Sequence, residues 1–170
     1  MPIFGARRPR LDGLTREEEK RRDALNPEVM GRAGVSTAPA AVAVLREKME
    51  SEPGEWLWPL LLGSQMIGMR RYGRAIEAFA AALAREPGEV RAHYGAAMAC
   101  YKAAEYKQEH GAAAIEEVAP ANLTVDNLYQ EALRHFRRAM ELTPDKGERD
   151  ELASSVATVT RAMARKRGRL

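Results

Sequence analysis

The side chains able to do chemistry in this chain are few and scattered. Its histidines are His93, His110 and His135, and its single cysteine is Cys100. A zinc or copper site needs such ligands gathered at short, regular spacings, and these are spaced neither with one another nor with carboxylates in that way. They read as surface or interface histidines, and no metal is expected. Cys100 falls on a run of small residues at helical spacing with Ala96 and Ala97, the setting of a core thiol rather than of a nucleophile. The acidic run Glu17-Glu18-Glu19 is followed by Lys20-Arg21-Arg22, which on a helix forms i,i+3 and i,i+4 ion pairs along a solvated face. No strand pattern exists for a glycine-rich phosphate loop to follow. With no convergent set of nucleophile, base and oxyanion donors, the expectation is a protein that catalyses nothing and takes no cofactor or small-molecule substrate.

Charge offers a second kind of chemistry. Arg161, Arg165, Lys166, Arg167 and Arg169 crowd the C-terminus, with Arg7, Arg8 and Arg10 at the other end. Such a cluster can neutralise phosphates on RNA or an anionic membrane surface. It holds no aromatic residue for base stacking, which argues against sequence-specific RNA reading. Basic residues also suit a helix C-terminus, where they meet the negative end of its dipole, so the cluster has two readings. The balance of 27 basic against 24 acidic residues, net +3, permits an anionic partner without demanding one.

These residues must be carried by something folded. The chain has 170 residues, 45% hydrophobic and 30% charged, which is globular composition. Its mean hydropathy is −0.45, and its densest apolar stretch, Trp56 to Met66, is interrupted by Pro59 and Gly63. That is too short for the roughly 20 apolar residues of a spanning helix. The first residues carry arginines but no apolar stretch of the signal-peptide kind, so a cytoplasmic location is expected.

One pattern recurs. Tyr72, Ala75, Ile76, Phe79, Ala82, Leu83 and Pro87 reappear as Tyr129, Ala132, Leu133, Phe136, Ala139, Met140 and Pro144. The spacings i, i+3, i+4, i+7, i+10 and i+11 form one stripe of a 3.6-residue helix, so each set predicts the buried face of an amphipathic helix that proline ends. Leu62, Gly63 and Met66 precede the first copy, and Ala96, Ala97 and Cys100 the second. Each unit is therefore a helix pair whose first helix offers small residues where the second crosses.

Pro53 and Pro87 are 34 residues apart, the period of tetratricopeptide repeats. Leu62-Gly63, Tyr72, Ala75, Phe79, Ala82 and Pro87 resemble that family's repeat pattern nearly position for position, except that Pro59 replaces the usual early aromatic residue. The resemblance implies an all-α array of about two full repeats with flanking single helices over residues 37–164. The two tyrosine-to-proline blocks lie 57 residues apart, which puts an insertion of about 23 residues near 103–125, either a recognition element or a tolerated loop. An overlong first helix with an insertion in the last repeat also resembles, more weakly, the tetratricopeptide assembly factors of photosystem I. Ala103 to His110 is expected to prolong a helix, with Gly111 as its C-cap and Thr124 or Asn122 capping the next.

The ends complete the expected array. Ala40 to Met49 predicts a helix in front of the repeats, and Glu148 to Ala164 a terminal solvating helix. Residues 1–36 are charged and poor in large apolar residues. The capping box of Thr15 and Glu18 predicts a short solvent-exposed helix over Arg16 to Leu25, in an arm that orders only against something else. Residues 165–170 form the basic tail.

Tetratricopeptide arrays bind on the surface lined by the first helix of each pair. The resemblance assigns that role to Leu57, Leu60, Leu61, Ser64 and Ile67 in one repeat and to Arg91, Tyr94, Gly95, Met98, Tyr101 and Lys102 in the next. An apolar strip facing an aromatic one, with Arg91 and Lys102 at its edges, suits a protein segment with apolar anchors and an acidic group. The family's clamp for acidic chaperone tails needs lysines and an asparagine where Leu60, Ser64, Gly95 and Glu148 stand, so that ligand is not expected. The implied function is an adaptor, assembly factor or accessory subunit that binds one or more proteins, with docking on RNA, a nucleoprotein or an anionic membrane through the arginine-rich ends as the alternative. The competing reading of the strip is that the protein's own N-terminal arm or the flanking helix covers it.

Overall fold

The structure, a computed structural model, describes residues 11, 13–25, 38–111 and 118–167. Among these residues there are seven helices and no strand: α1 (Arg16–Leu25), α2 (Ala38–Ser51), α3 (Leu57–Gly68), α4 (Tyr72–Arg85), α5 (Val90–His110), α6 (Val125–Leu142) and α7 (Lys146–Arg167). From α2 onward each helix packs on its successor, and α3 also touches α5. No described helix is long and apolar enough to cross a membrane.

The two matched stripes become the buried faces of α4 and α6. Ala75, Phe79 and Ala82 on α4, and Tyr129, Ala132, Phe136 and Ala139 on α6, are all at most 1% exposed. Burying each ring contributes about 2–3 kcal/mol of transfer free energy. Proline follows both helices, Pro87 and Pro144, just past their C-caps at Glu86 and Thr143. Between them runs α5, whose buried residues Ala92, Gly95, Ala96, Ala97, Ala99, Cys100, Ala103 and Ala104 occupy most of its circumference. Small side chains on opposite sides let α4 and α6 both approach closely. Two core clusters meet along this helix, one centred on Phe79 and one on Phe136.

Phe79 shows why the first helix of a pair carries glycine. A Cβ added to Gly63 on α3 would stand 2.7 Å from its ring, and one added to Gly95 on α5 would stand 2.4 Å away. The ring occupies the space that two absent side chains leave, and so joins three helices.

The helix starts and stops have local causes. Pro59 lies in the first turn of α3, where its missing N–H is one that would have no intrahelical partner anyway. The Glu55 carboxylate accepts from the Leu57 N–H at 3.2 Å and takes over the capping. Thr124 and Asn127 form a reciprocal capping box at the start of α6. Gly111 ends α5 at φ 55°, a left-handed conformation that costs glycine little.

The region expected to be an insertion is partly core. Ala103 and Ala104 are fully buried in the Phe136 cluster, so the overlong part of α5 is packing surface for its neighbours rather than a loop. Residues 118–124 are tied down as well. The Lys107 ammonium donates to the carbonyls of Pro120, Ala121 and Leu123 at 2.8, 3.2 and 2.5 Å, and the Val118 carbonyl accepts from Gly73 N–H at 3.1 Å. Residues 112–117 of the expected insertion lie outside the described residues.

Candidate protein-binding groove

The groove lies between α3 and α5. Leu60, Leu61, Ser64 and Ile67 from α3 face Arg91, Tyr94, Gly95 and Met98 from α5 across a hollow of about 490 Å³. Eight of the residues assigned to a binding strip therefore do come together. The other three do not. Leu57 is 0% exposed and belongs to the Phe79 core cluster, which also holds Leu45 of α2. Tyr101 and Lys102 lie further along α5, where both bond the Glu105 carboxylate, at 2.7 and 2.9 Å. Burial, joined by that carboxylate, pushes the Tyr101 phenol up to about 12. The strip is thus shorter than the sequence implies, and Tyr101 packs against Tyr129 with ring centres 6.2 Å apart.

Arg91 does not stand open at the groove's edge. Its guanidinium is held by Glu89, which also caps α5, at 2.7 Å from Nε, and by Glu18 of α1 at 2.5 Å from Nη1 and 2.8 Å from Nη2. Such two-point guanidinium–carboxylate pairs are geometrically specific as well as strong. Desolvation opposes both charges, yet the hydrogen bonds that the guanidinium donates to Glu18 and Glu89 hold it above its ordinary range. Burial alone would raise the Glu18 carboxyl, and the bonds from Arg91 and Thr15 outweigh it and keep it below the usual carboxylate range. The pair's contribution is therefore present at neutral pH and fades as pH falls through that lowered value.

The arm thus lies over the groove. α1 spans the residues its capping box predicts, with Thr15 N–H on the Glu18 carboxylate at 2.7 Å and Glu18 N–H on the Thr15 hydroxyl at 3.2 Å. Leu11, Gly13 and Leu14 line the hollow with Glu19 and Arg22. A second attachment forms one turn further along the same face of α1, where Arg21 donates to Glu55 at 2.5 Å and lies over Trp58. What the arm orders against is this chain's own surface. The remainder of residues 1–36 lies outside the described residues.

The C-terminal cations are dispersed. Lys166 pairs with Asp126 at 2.8 Å, and Arg161 bonds back onto its own helix at Ala157. Arg165 lines a smaller hollow with Glu105 and Glu109, so carboxylates face it. Arg167 is the last residue of α7, and Arg169 lies outside the described residues.

Sequence reasoning missed a histidine pair. His93 and His135 meet across the α5–α6 contact, Nδ1 to Nδ1, at 2.9 Å. Arg134 can only donate to His135 Nε2, at 3.1 Å, so His135 carries its proton on Nδ1 and donates to His93 Nδ1. His93 in turn donates from Nε2 to the Pro87 carbonyl at 3.1 Å. Burial, then the neighbouring cations, pushes His135 down to about 4, and burial lowers His93 as well. Both rings are neutral in the folded protein, and an unfolded histidine takes up a proton near pH 6.5. Stability is therefore full above pH 6.5 and lost progressively as pH falls toward 4. Urea midpoints at pH 7.5 and pH 5 should differ by an amount equivalent to about 1–2 kcal/mol, and His135→Gln should flatten that difference. Cys100 is 2% exposed, and burial pushes its thiol up to about 12, leaving it protonated. Among the described residues, no group of three histidines, cysteines or carboxylates is placed to hold a metal.

No family model matches the chain, and no curated protein matches it.

Proposed function

We propose that this chain is a non-catalytic protein–protein interaction module of tetratricopeptide-like architecture, an adaptor, assembly factor or accessory subunit that holds a segment of another protein in the α3–α5 groove. The observation that carries the reading is the hollow itself. Leu60, Leu61, Ile67, Tyr94 and Met98 converge on it from two helices of successive pairs, with Arg91 at one end. Pockets with apolar walls and a few placed polar groups are where helical or extended segments dock. The packing supports the repeat reading. The α3–α4 and α5–α6 pairs each bury the same alanine–phenylalanine–alanine stripe, and α3 contacts α5 as the first helices of stacked pairs do.

Ile67 and Met98 are half-buried at the groove and lie outside the fully buried core. The double variant Ile67→Gln/Met98→Gln is expected to lower partner capture by the full chain at least tenfold while leaving the thermal midpoint within a few degrees. Affinity capture followed by mass spectrometry, with circular dichroism on the same samples, reads both. Raising salt should weaken this capture only modestly, whereas docking through the arginine-rich termini would fall steeply with ionic strength. Unchanged capture by the double variant would remove the groove from the interaction.

A further inference from the structure

We infer that the N-terminal arm is a displaceable occupant of the groove, and that the partner displacing it presents the same chemistry: an amphipathic helix preceded by leucine-type residues, with a glutamate in its first turn for Arg91. This inference rests on the groove being the binding face.

Three observations carry it. The first is how the arm is held. None of the ten residues of α1 is buried; the arm is held by two ion pairs, Glu18 on Arg91 and Arg21 on Glu55, and by three leucines, of which Leu11 is buried while Leu14 and Leu25 are only partly so. A structural helix of this fold looks different: α4 and α6 each bury a continuous stripe. The second is the space beneath. The hollow of about 490 Å³ between the arm and the groove floor is walled by Leu11 and Leu14 above and by Leu60, Leu61, Ile67 and Met98 below. The hollow is open to water, so a helix whose larger apolar residues fill it buries apolar wall that the arm leaves wet. The third is charge. Arg91 is 11% exposed and lies over the Trp56 ring, with two N–H groups directed at Glu18. When another segment replaces the arm and covers those donors again, one without an acidic group leaves them desolvated and unsatisfied. The groove thereby selects for a glutamate where the arm has one.

The arrangement works as a competition. An intramolecular segment acts at high effective concentration, so a weakly packed arm still excludes weak ligands and yields to a better-fitting one. Two leucines followed by a capping box, as in Leu11, Leu14, Thr15 and Glu18, is the pattern the partner should carry.

The test uses the full chain with both ion pairs cut, Glu18→Ala/Arg21→Ala, and as probe a fluorescein-labelled synthetic peptide of residues 11–25. Fluorescence anisotropy should show the peptide binding the cut chain at least tenfold more tightly than the unaltered chain. A peptide carrying Glu18→Gln should lose at least tenfold on the cut chain. Added in excess to the unaltered chain, the unlabelled peptide should speed hydrogen exchange at the α1 amides. Should the cut chain lose its cooperative melt, Glu18→Gln alone, which keeps the side chain's shape, takes its place with the same expected order of affinities. Equal affinity for cut and unaltered chains, no binding to a cut chain whose α1 amides exchange freely, or α1 amides still protected in the cut chain would each overturn the inference. So would a concentration-dependent dimer of the unaltered chain with its α1 amides protected, which would make a second copy the occupant. The peptide measurement needs no cellular partner. Its failure alongside Ile67- and Met98-dependent capture rejects the arm as gate and keeps the groove, and the reverse pattern rejects the groove's partner.

Discussion

Replacing Phe79 with alanine is expected to cost the fold about 3–5 kcal/mol, the range for emptied aromatic core sites. The ring is 1% exposed and touches α3 and α5 at their two glycines while belonging to α4. Collapse cannot refill the space, because the facing positions have no side chains to move into it. Both glycine-bearing helices lose their spacer at once, so the loss should fall at the upper end of the range. Urea unfolding followed by circular dichroism measures it. A loss below about 1 kcal/mol would mean that the ring is not the joint between the two helix pairs.

A second large effect has an unusual sign. In the interior of an ordinary helix, glycine to alanine stabilises by about 0.5–1 kcal/mol. At Gly95 the added methyl would lie 2.4 Å from the Phe79 ring, so Gly95→Ala must displace that ring or the helix. Overpacking of this kind costs about 1–3 kcal/mol, which outweighs the helix-propensity gain. Combining it with Phe79→Leu, which shortens the opposing side chain, should cost less than the sum of the single changes, because the methyl then has room. Additive losses in that double-mutant cycle would place the two residues in separate sites. At Gly68, where nothing lies within 4 Å of an added Cβ, the same substitution should not carry this clash.

The parts of the fold that were legible share a property: their cause is local. The stripes of α4 and α6 follow from spacing within one helix, and the boundaries of α1 follow from Thr15 and Glu18 three residues apart. The all-helical pairing followed from the same stripes. What was not legible depended on residues far apart. Glu18 meets Arg91 across 73 positions, and an ion pair at that distance leaves no periodic trace. Leu57 was misplaced for a related reason, since a leucine in a first turn can point to core or groove and only the neighbouring α2 decides.

The histidine pair is an intermediate case. Residues of α5 and α6 meet in reverse order: Tyr94 with Phe136, Tyr101 with Tyr129, His93 with His135. Setting the two helices antiparallel and aligning Tyr101 with Tyr129 puts the two histidines opposite each other. The signal was present, but only after the helices were paired, whereas a search for metal spacings along the chain could not find it. The insertion shows the converse. Its length was readable from the 57-residue offset and Ala103 to His110 as a prolonged helix, yet that Ala103 and Ala104 would be core depended on α6 and α7, which lie later in the chain.

On the proposed function, a segment of a partner protein docks between α3 and α5, within reach of Ile67. Photo-crosslinking tests it most directly: a benzoylphenylalanine placed at Ile67 in the full chain, with Arg137 on the exposed face of α6 as control. A specific crosslinked partner is expected at Ile67, competed away by the peptide of residues 11–25, and none at Arg137. Crosslinking at Arg137 with nothing at Ile67, in a protein of normal stability, would contradict it.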